Sequence, residues 1–280
     1  MTGRKRLLRG LALAAATLVL FLALFYVLFP VAPLNNAVIQ ALAGQGLTLE
    51  PEARKTVLPG LVWNDAILSS AQGALLDIEQ LKVQPRLMAL LLGRLRLSAK
   101  AAVADGKIDL LYGVNGRQAV VLQADGIQLA KIPFFKTVLG ATAGGMLWSE
   151  GNVQRTPQGL DGELKLEVKQ LQYSGVKMGA FPLPDATNLR TQGMVRISGG
   201  RARLESFTLQ GEGVYMRLSG NLPTGARAAS MPLDLTLEIM PKPEFMEQQK
   251  LVFLLLAKFM SSPGVYRVPI RGTLLNPVIL

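Results

Sequence analysis

The amino-acid sequence predicts a mainly β protein that follows one N-terminal transmembrane helix. Residues 11–29 form an unbroken apolar segment, and most of the chain beyond residue 47 alternates apolar with polar side chains. This alternation, with a period of two, is typical of a strand that buries one face and exposes the other. Asn-Gly and Asp-Gly pairs recur between such runs and favour tight hairpins, so we expect an antiparallel-rich sheet with a few short helices.

The apolar segment is predicted to be a membrane anchor. Leu11 to Phe29 contains nineteen residues without a charge, and a helix of this length rises roughly 28 Å, close to the hydrocarbon thickness of a bilayer. Four basic residues and no acidic residue precede it within residues 1–10, which predicts a cytoplasmic N-terminus and an external remainder. A cleaved signal peptide is the alternative, but its apolar core is usually about 7–15 residues long. We therefore expect an uncleaved anchor.

The strand predictions begin with three turn signals, at Asp105-Gly106, Asn115-Gly116 and Asp125-Gly126. Each pair supplies the positive φ angles of a two-residue hairpin. Further strands follow from alternating apolar positions. The positions that we expect to line an apolar groove or docking surface are Leu164, Leu166, Val168, Leu233, Leu235, Leu237 and Ile239.

Three helices are predicted outside the anchor. Residues 34–43 form a short helical pattern after two prolines, and residues 134–141 follow Pro133. Residues 244–260 are predicted to form one apolar helix that starts after Pro243. Its centre is apolar on all sides, so we expect it to be buried or to contact lipid or a partner. Its candidate contact residues are Leu251, Phe253, Leu254, Leu255 and Phe259.

The chain divides into two predicted extramembrane halves, residues 31–145 and 146–280. The boundary follows the glycine-rich stretch at residues 140–145. One continuous sheet across this boundary is an equally good interpretation.

Composition excludes several kinds of chemistry. The 280 residues include no cysteine and no histidine, so the chain alone cannot form a Ser-His-Asp triad or a His- or Cys-bound zinc site. Two pairs, Asp77 with Glu79 and Asp161 with Glu163, could in principle supply the two carboxylates that a glycosidase needs. However, Glu163 is followed by Lys165 on the exposed face of a patterned strand, which favours a solvated charge ladder. We expect no enzymatic activity, no cofactor and no metal.

The formal net charge is +11. Aromatic residues are few and do not interleave with the basic ones, which argues against nucleic acid as a partner. The densest basic run extends from Lys82 to Arg117. Two interpretations remain open for it: attraction to anionic lipid head groups, or a solvated face that aids solubility.

Three stretches carry a family resemblance. They are LLDIEQLKVQPRLMALLLGRLRLSAKAAVADGKIDL (75–110), GGRARLESFTLQGEGVYMRLSGNL (199–222) and VPIRGTLLNPVIL (268–280). These stretches resemble the AsmA-like and TamB-like envelope proteins, and at this length the chain is most similar to the type II secretion system protein N family (GspN). The resemblance covers nearly the whole chain but depends on loose glycine, proline and apolar spacing.

The resemblance implies a bacterial inner-membrane protein whose bulk is periplasmic, with an elongated, curved sheet and an apolar inner groove. It implies a non-enzymatic accessory component of type II protein secretion, with other secretion subunits as partners. The alternative is a lipid-binding or lipid-transfer module of the envelope, with phospholipid or another acyl lipid as its ligand. The family supplies no catalytic motif.

Overall fold

The computed structural model describes residues 31–56, 60–86, 88–89, 92–225 and 227–279, together with residues 16, 17, 20 and 24. The predicted cytoplasmic segment 1–10 and most of the predicted anchor 11–29 lie outside the described residues. Within the part of the chain that is described, no helix has the length and apolar character needed to cross a membrane.

A large antiparallel sheet dominates the fold, which confirms the predicted mainly β class with few short helices. Its strands are β1 (Leu47–Glu50), β2 (Arg54–Lys55), β3 (Leu61–Ser70), β4 (Gly73–Pro85), β5 (Arg96–Val103), β6 (Gly106–Gly113), β7 (Gln118–Gln128), β8 (Thr142–Thr156), β9 (Gly159–Ser174), β12 (Ala186–Ser198), β13 (Arg201–Gln210), β14 (Val214–Leu222), β15 (Asp234–Pro241), β16 (Met260–Ser262), β17 (Val265–Thr273) and β18 (Asn276–Ile279). The short hairpin of β10 (Lys177–Met178) and β11 (Phe181–Pro182) is separate from it.

The sheet is a meander, because nearly every strand pairs with the strands next to it in sequence. The order is β1-β3-β4-β5-β6-β7-β8-β9-β12-β13-β14-β15-β17-β16, with β2 beside β3 and β18 beside β17. The proposed boundary at residues 145 and 146 lies inside β8, which pairs with β7 on one side and β9 on the other. One sheet therefore runs through both predicted halves.

The glycine turn signals have different roles in the structure. Asn115-Gly116 lies in the turn between β6 and β7, as predicted, but this connection has four residues (114–117) rather than two, and of the pair only Gly116 has a positive φ. The β5–β6 turn is centred one residue earlier than expected, because Ala104 and Asp105 carry the positive φ angles. Asp125-Gly126 is not a hairpin: it lies inside β7, where the pairing with β8 shifts between Ala124 and Ile127. The positive φ of Gly126 here forms a β-bulge, which the same dipeptide also suits.

The helices are short. α1 spans Val31–Ala43 and α2 spans Phe134–Leu139. The predicted continuous helix over residues 244–260 is wrong: the segment contains α3 (Pro243–Gln248), α4 (Lys250–Leu256) and a 3-10 turn (Ala257–Phe259), and Met260 already belongs to β16. The break is at Gln249, whose backbone leaves the helical region at φ −122° and ψ 37°.

Two apolar clusters form the core, and α2 packs against the larger one through Phe135 and Leu139. The smaller cluster packs between α1 and strands β1–β7 around Trp63, and the larger one packs on β8–β18. Ile132 and Leu147 contact both clusters. The core is therefore continuous along the sheet rather than split at the predicted boundary.

α2 ties together strands that are far apart in the sheet order. It contacts β4 near one end of the sheet and β18 near the other. The Thr137 hydroxyl donates a hydrogen bond of 2.6 Å to the carbonyl oxygen of Ala74 at the start of β4. The sheet must curve strongly for one short helix to reach both ends, and this curvature gives it a concave face around α2.

Candidate functional site

The concave face of the C-terminal half carries an apolar groove. Its floor is a row of paired positions across neighbouring strands, which includes Leu166 on β9, Phe207 on β13, Leu218 on β14 and Leu237 on β15. Gly193 on β12 lies between Leu166 and Phe207 in this row. A Cβ atom at Gly193 would lie 2.6 Å from Cδ2 of Phe207, so only glycine leaves room for the ring to lie across β12.

Two short segments wall the groove. Phe135 and Leu139 come from α2, and Val176, Met178 and Leu183 come from the segment that connects β9 to β12. α2 ends at Leu139, beside the groove, because Gly140 adopts a left-handed C-cap conformation. The chain then enters β8 and returns to the sheet.

The groove holds a partly open cavity of about 370 Å³. This lies within the range of about 300–1,000 Å³ typical of small-molecule sites. Every lining residue is apolar apart from the hydroxyl of Tyr173. Besides the residues already named, the lining comprises Leu129, Ala141, Ala143, Leu147, Val168, Leu171, Leu209, Met216 and Ile270.

The Tyr173 hydroxyl stays neutral and has a hydrogen-bond partner. It donates a hydrogen bond of 3.3 Å to Sδ of Met216. Burial raises the pKa of Tyr173 well above its ordinary range, and the negative charge of Asp185 raises it further. The groove lining therefore carries no charge at neutral pH.

One side chain joins the groove wall to the broken helix. The Gln249 amide accepts a hydrogen bond of 2.7 Å from the Asp185 backbone N–H and donates one of 2.7 Å to the Asp185 carbonyl oxygen. The Asp185 carboxylate in turn accepts a 2.8 Å hydrogen bond from the N–H of Gly175. The helix breaks at the residue that makes this contact: the Gln249 backbone N–H still donates to the carbonyl oxygens of Phe245 and Met246 at 3.3 Å, while its side chain forms a clamp on the wall.

The predicted strand residues fall into two groups. Leu166, Val168 and Leu237 line the groove, whereas Leu164, Leu233, Leu235 and Ile239 pack into the core around it. The alternation predicted for β9 is observed, since Glu163, Lys165, Glu167 and Lys169 are exposed on the opposite face.

The predicted residues of the apolar helix are divided between α4, where they lie on two faces, and the 3-10 turn that follows it, which contains Phe259. Phe253 is buried against Tyr266, with ring centroids 5.3 Å apart, and the partly buried Phe259 packs edge-on against Phe181. Leu251, Leu254 and Leu255 face solvent, and the first two are 77% and 70% exposed. The structure therefore does not bring these three leucines together with the groove.

Sequence reasoning missed the walls of the groove. Phe135, Val176 and Leu183 lie in connections rather than in alternating strands, so periodicity could not identify them. Phe207 and Leu209 do alternate on β13, and that pattern was the available signal for the floor. Tyr173 was hidden by a bulge, since Gln170 has a φ of 52° and shifts the alternation of β9 by one residue.

Of the two carboxylate pairs considered for catalysis, Asp77 and Glu79 are exposed on β4, and Asp161 and Glu163 have local roles. Asp161 accepts hydrogen bonds from the Thr156 hydroxyl at 2.6 Å and from the Gly199 N–H at 2.8 Å, and these bonds lower its pKa in that order. Glu163 pairs with Lys165 at 3.2 Å on the exposed face. Among the described residues, no cluster of three or more acidic, histidine or cysteine side chains is placed to hold a metal ion.

The fold and the groove define a class of protein: a strongly curved antiparallel sheet with an uncharged apolar cavity on its concave face. No protein-family model matches this chain, and comparison with curated proteins and with solved structures finds no similar protein.

Proposed function

We propose that this protein binds the acyl chain of a membrane lipid in the apolar groove and serves as a lipid-handling module of the bacterial envelope. The observation that carries the proposal is the cavity itself, about 370 Å³ in volume and lined by apolar side chains and one neutral hydroxyl. Moving a methylene group from water into such surroundings contributes about 0.8 kcal/mol. An alkyl chain is therefore the ligand that gains most from this lining.

The shape of the site agrees with the same ligand. The floor crosses β9, β12, β13, β14 and β15 in one row, so it extends across the strands rather than forming a deep spherical pocket. A polar ligand would leave its hydrogen-bonding groups unpaired here, at a cost of about 1–3 kcal/mol each. The proposal includes inner-membrane anchoring through residues 11–29 with the bulk of the chain in the periplasm.

The test is photo-crosslinking of the full chain with a phospholipid that carries a diazirine in its acyl chain. Crosslinked peptides are expected from residues 159–174 and 201–222, which contribute the floor. Labelling confined to peptides outside the groove would reject the proposal.

A matched pair of variants on β9 sharpens this test. Leu166 lines the cavity, whereas Leu164, two residues earlier and equally half-buried, does not. Leu166→Gln is expected to reduce groove labelling several-fold, because the amide loses its hydrogen bonds to water beside an alkyl chain. Leu164→Gln is expected to leave the labelling unchanged, although it should lower the stability of the fold about as much as Leu166→Gln does.

The exposed face of α4 favours a second candidate, an accessory role in type II secretion that acts through protein contacts. Leu251, Leu254 and Leu255 together place a solvent-facing apolar surface on a folded element, and such surfaces commonly mark protein interfaces. The test compares secreted proteins from a deletion strain that is complemented with wild type or with Leu254→Asp. Normal secretion in the deletion strain would exclude this role.

A further inference from the structure

We propose that one tip of the sheet, built from the described residues 86, 88–89, 92–96 and 112–117 together with Arg155 of β8, is a docking surface for an anionic lipid bilayer. This surface, which we call the basic tip, lies on the loops after β4 and β6. The inference is independent of the lipid groove. It rests on exposed apolar side chains and unpaired arginines that the fold brings to one place.

The apolar part of the basic tip is exposed to solvent, most fully at Met88 and Leu92. Met88 and Leu92 are 76% and 75% exposed, and Leu95, Tyr112 and Val114 are also exposed large apolar residues. Single exposed apolar residues are ordinary, but a cluster on adjoining loops marks an interaction surface.

Hydrogen bonds hold the two loops together. The Asn115 side chain accepts a 2.9 Å hydrogen bond from the Leu95 N–H and donates one of 3.1 Å to the carbonyl oxygen of Gly93. The Val114 N–H donates to the Leu95 carbonyl oxygen at 2.9 Å. The loops therefore form one organised surface rather than two separate ones.

Five arginines accompany these apolar residues. The backbone N–H of Arg86 donates to the carbonyl oxygen of Arg96, and that of Arg155 donates to the carbonyl oxygen of Arg117. The guanidinium of Arg155 lies 6.0 Å from the centroid of the Tyr112 ring. The complete set is Arg86, Arg94, Arg96, Arg117 and Arg155.

No carboxylate balances this charge. The sequence has no Asp or Glu between residues 80 and 104, between 110 and 124, or between 151 and 160. In the part of the chain that the structure describes, none of the five arginines forms an ion pair. The basic tip therefore combines arginine side chains, whose positive charge is not neutralised, with apolar side chains at its centre.

This combination selects a bilayer with anionic head groups. Apolar side chains enter the boundary between head groups and acyl chains, while basic residues at the rim contact lipid phosphates. Arginine suits the rim because its guanidinium forks onto phosphate oxygens and its stem packs on apolar surface. α4 offers exposed leucines too, but Glu244 and Glu247 stand in the adjoining α3 and Lys250 pairs with Glu247 at 3.8 Å.

The absence of cysteine from the chain allows one label to be placed at one site. An environment-sensitive fluorophore is attached at position 92 of the basic tip through Leu92→Cys. The same fluorophore is attached on α4, at similar exposure, through Leu254→Cys. The full chain is reconstituted in phosphatidylcholine nanodiscs. Lipid containing about 30% phosphatidylglycerol is then supplied in one of two arrangements. It is either added as separate vesicles or included in the nanodisc that holds the protein.

The expected result is a blue shift of the Leu92 label with phosphatidylglycerol in at least one arrangement, with little change for pure phosphatidylcholine or for the Leu254 label. High salt should reverse the shift, because the head-group attraction is screened. Arg94→Gln with Arg117→Gln should weaken vesicle binding roughly 25-fold, at about fivefold for each arginine. Arg201→Gln with Arg203→Gln, the same charge change on exposed β13 positions, should have little effect.

Several outcomes would overturn the proposal. They are an unchanged Leu92 label in both lipid arrangements, a shift that both arginine pairs reduce equally, and a shift of the Leu254 label alone. A shift that depends on protein concentration without phosphatidylglycerol would assign the basic tip to contact between copies of the chain instead.

Discussion

Replacing Thr191 by valine is expected to destabilise the protein by about 2–6 kcal/mol, although the two side chains have nearly the same shape. Thr191 lies on β12 and is 2% exposed. Its hydroxyl accepts a 2.8 Å hydrogen bond from the Val168 N–H and donates one of 3.1 Å to the Val168 carbonyl oxygen. The hydroxyl thus stands in for a β12 backbone group at an irregularity, since the pairing with β9 shifts between Leu189 and Thr191.

The magnitude follows from the two groups that valine would leave unpaired. A buried donor or acceptor without a partner costs about 1–3 kcal/mol, and Val168 would lose a partner for both its N–H and its C=O. Thr191→Ser keeps the hydroxyl and removes one methyl group, so it should cost only about 1 kcal/mol.

The measurement is chemical denaturation of the full chain in detergent, followed by tryptophan fluorescence. Thr208→Val on β13 is the matched control, because the Thr208 hydroxyl donates to the Gln192 carbonyl oxygen at 3.2 Å where water can replace it. That control should change the free energy of unfolding by about 0.5 kcal/mol or less. If Thr191→Val cost no more than Thr208→Val, the role assigned to the Thr191 hydroxyl would be wrong.

Three further predictions use the same denaturation assay. Phe253→Ala should lower the free energy of unfolding by about 3–5 kcal/mol because it empties a core position. Leu254→Asp should lower it by under about 1 kcal/mol because the side chain faces solvent. Equal losses of stability would contradict the assignment of these residues to a buried and an exposed face of α4. Gln249→Ala should cost about 1–3 kcal/mol by releasing the clamp on Asp185 and should increase hydrogen exchange over residues 175–185, and unchanged exchange there would argue against the clamp. Because the pKa of Tyr173 is raised in the folded state, the contribution of its neutral hydroxyl to folding stability is complete below about pH 10 and is lost as pH rises through the folded-state pKa. Tyr173→Phe should therefore lose less stability above pH 10 than wild type does. Parallel pH profiles of the two proteins would refute this.

The sequence alone was sufficient for the exposed and buried faces of the strands. The alternation of Leu164, Leu166 and Val168 with charged residues predicted both the strand and its wet face, and the structure confirms them. Each pattern of this kind depends on neighbours two residues apart, and local steric alternation determines it. The start of α3 at Pro243 was predictable for the same local reason.

The same local signals failed where a distant contact made the choice. Asp125-Gly126 is compatible with a hairpin and with a bulge, and only pairing with β8 selects the bulge. Residues 243–260 have a continuous helical pattern, but the Gln249 amide finds the backbone of Asp185, 64 residues away. Periodicity could not divide the leucines of α4 either, because every position of its centre is apolar.

What the sequence by itself determined is the mainly β composition of the chain, the alternation of its strands, and the exclusion of histidine and cysteine chemistry. The tertiary structure decided that one sheet passes through both halves, that its curvature brings α2 against strands from opposite ends, and that α2 and residues 176–183 enclose an apolar groove. The physical reason is the range of the interactions. Alternation and turn chemistry act within a few residues, whereas curvature, cavity walls and the juxtaposition of the two arginine-bearing loops depend on register and packing between segments distant in the chain.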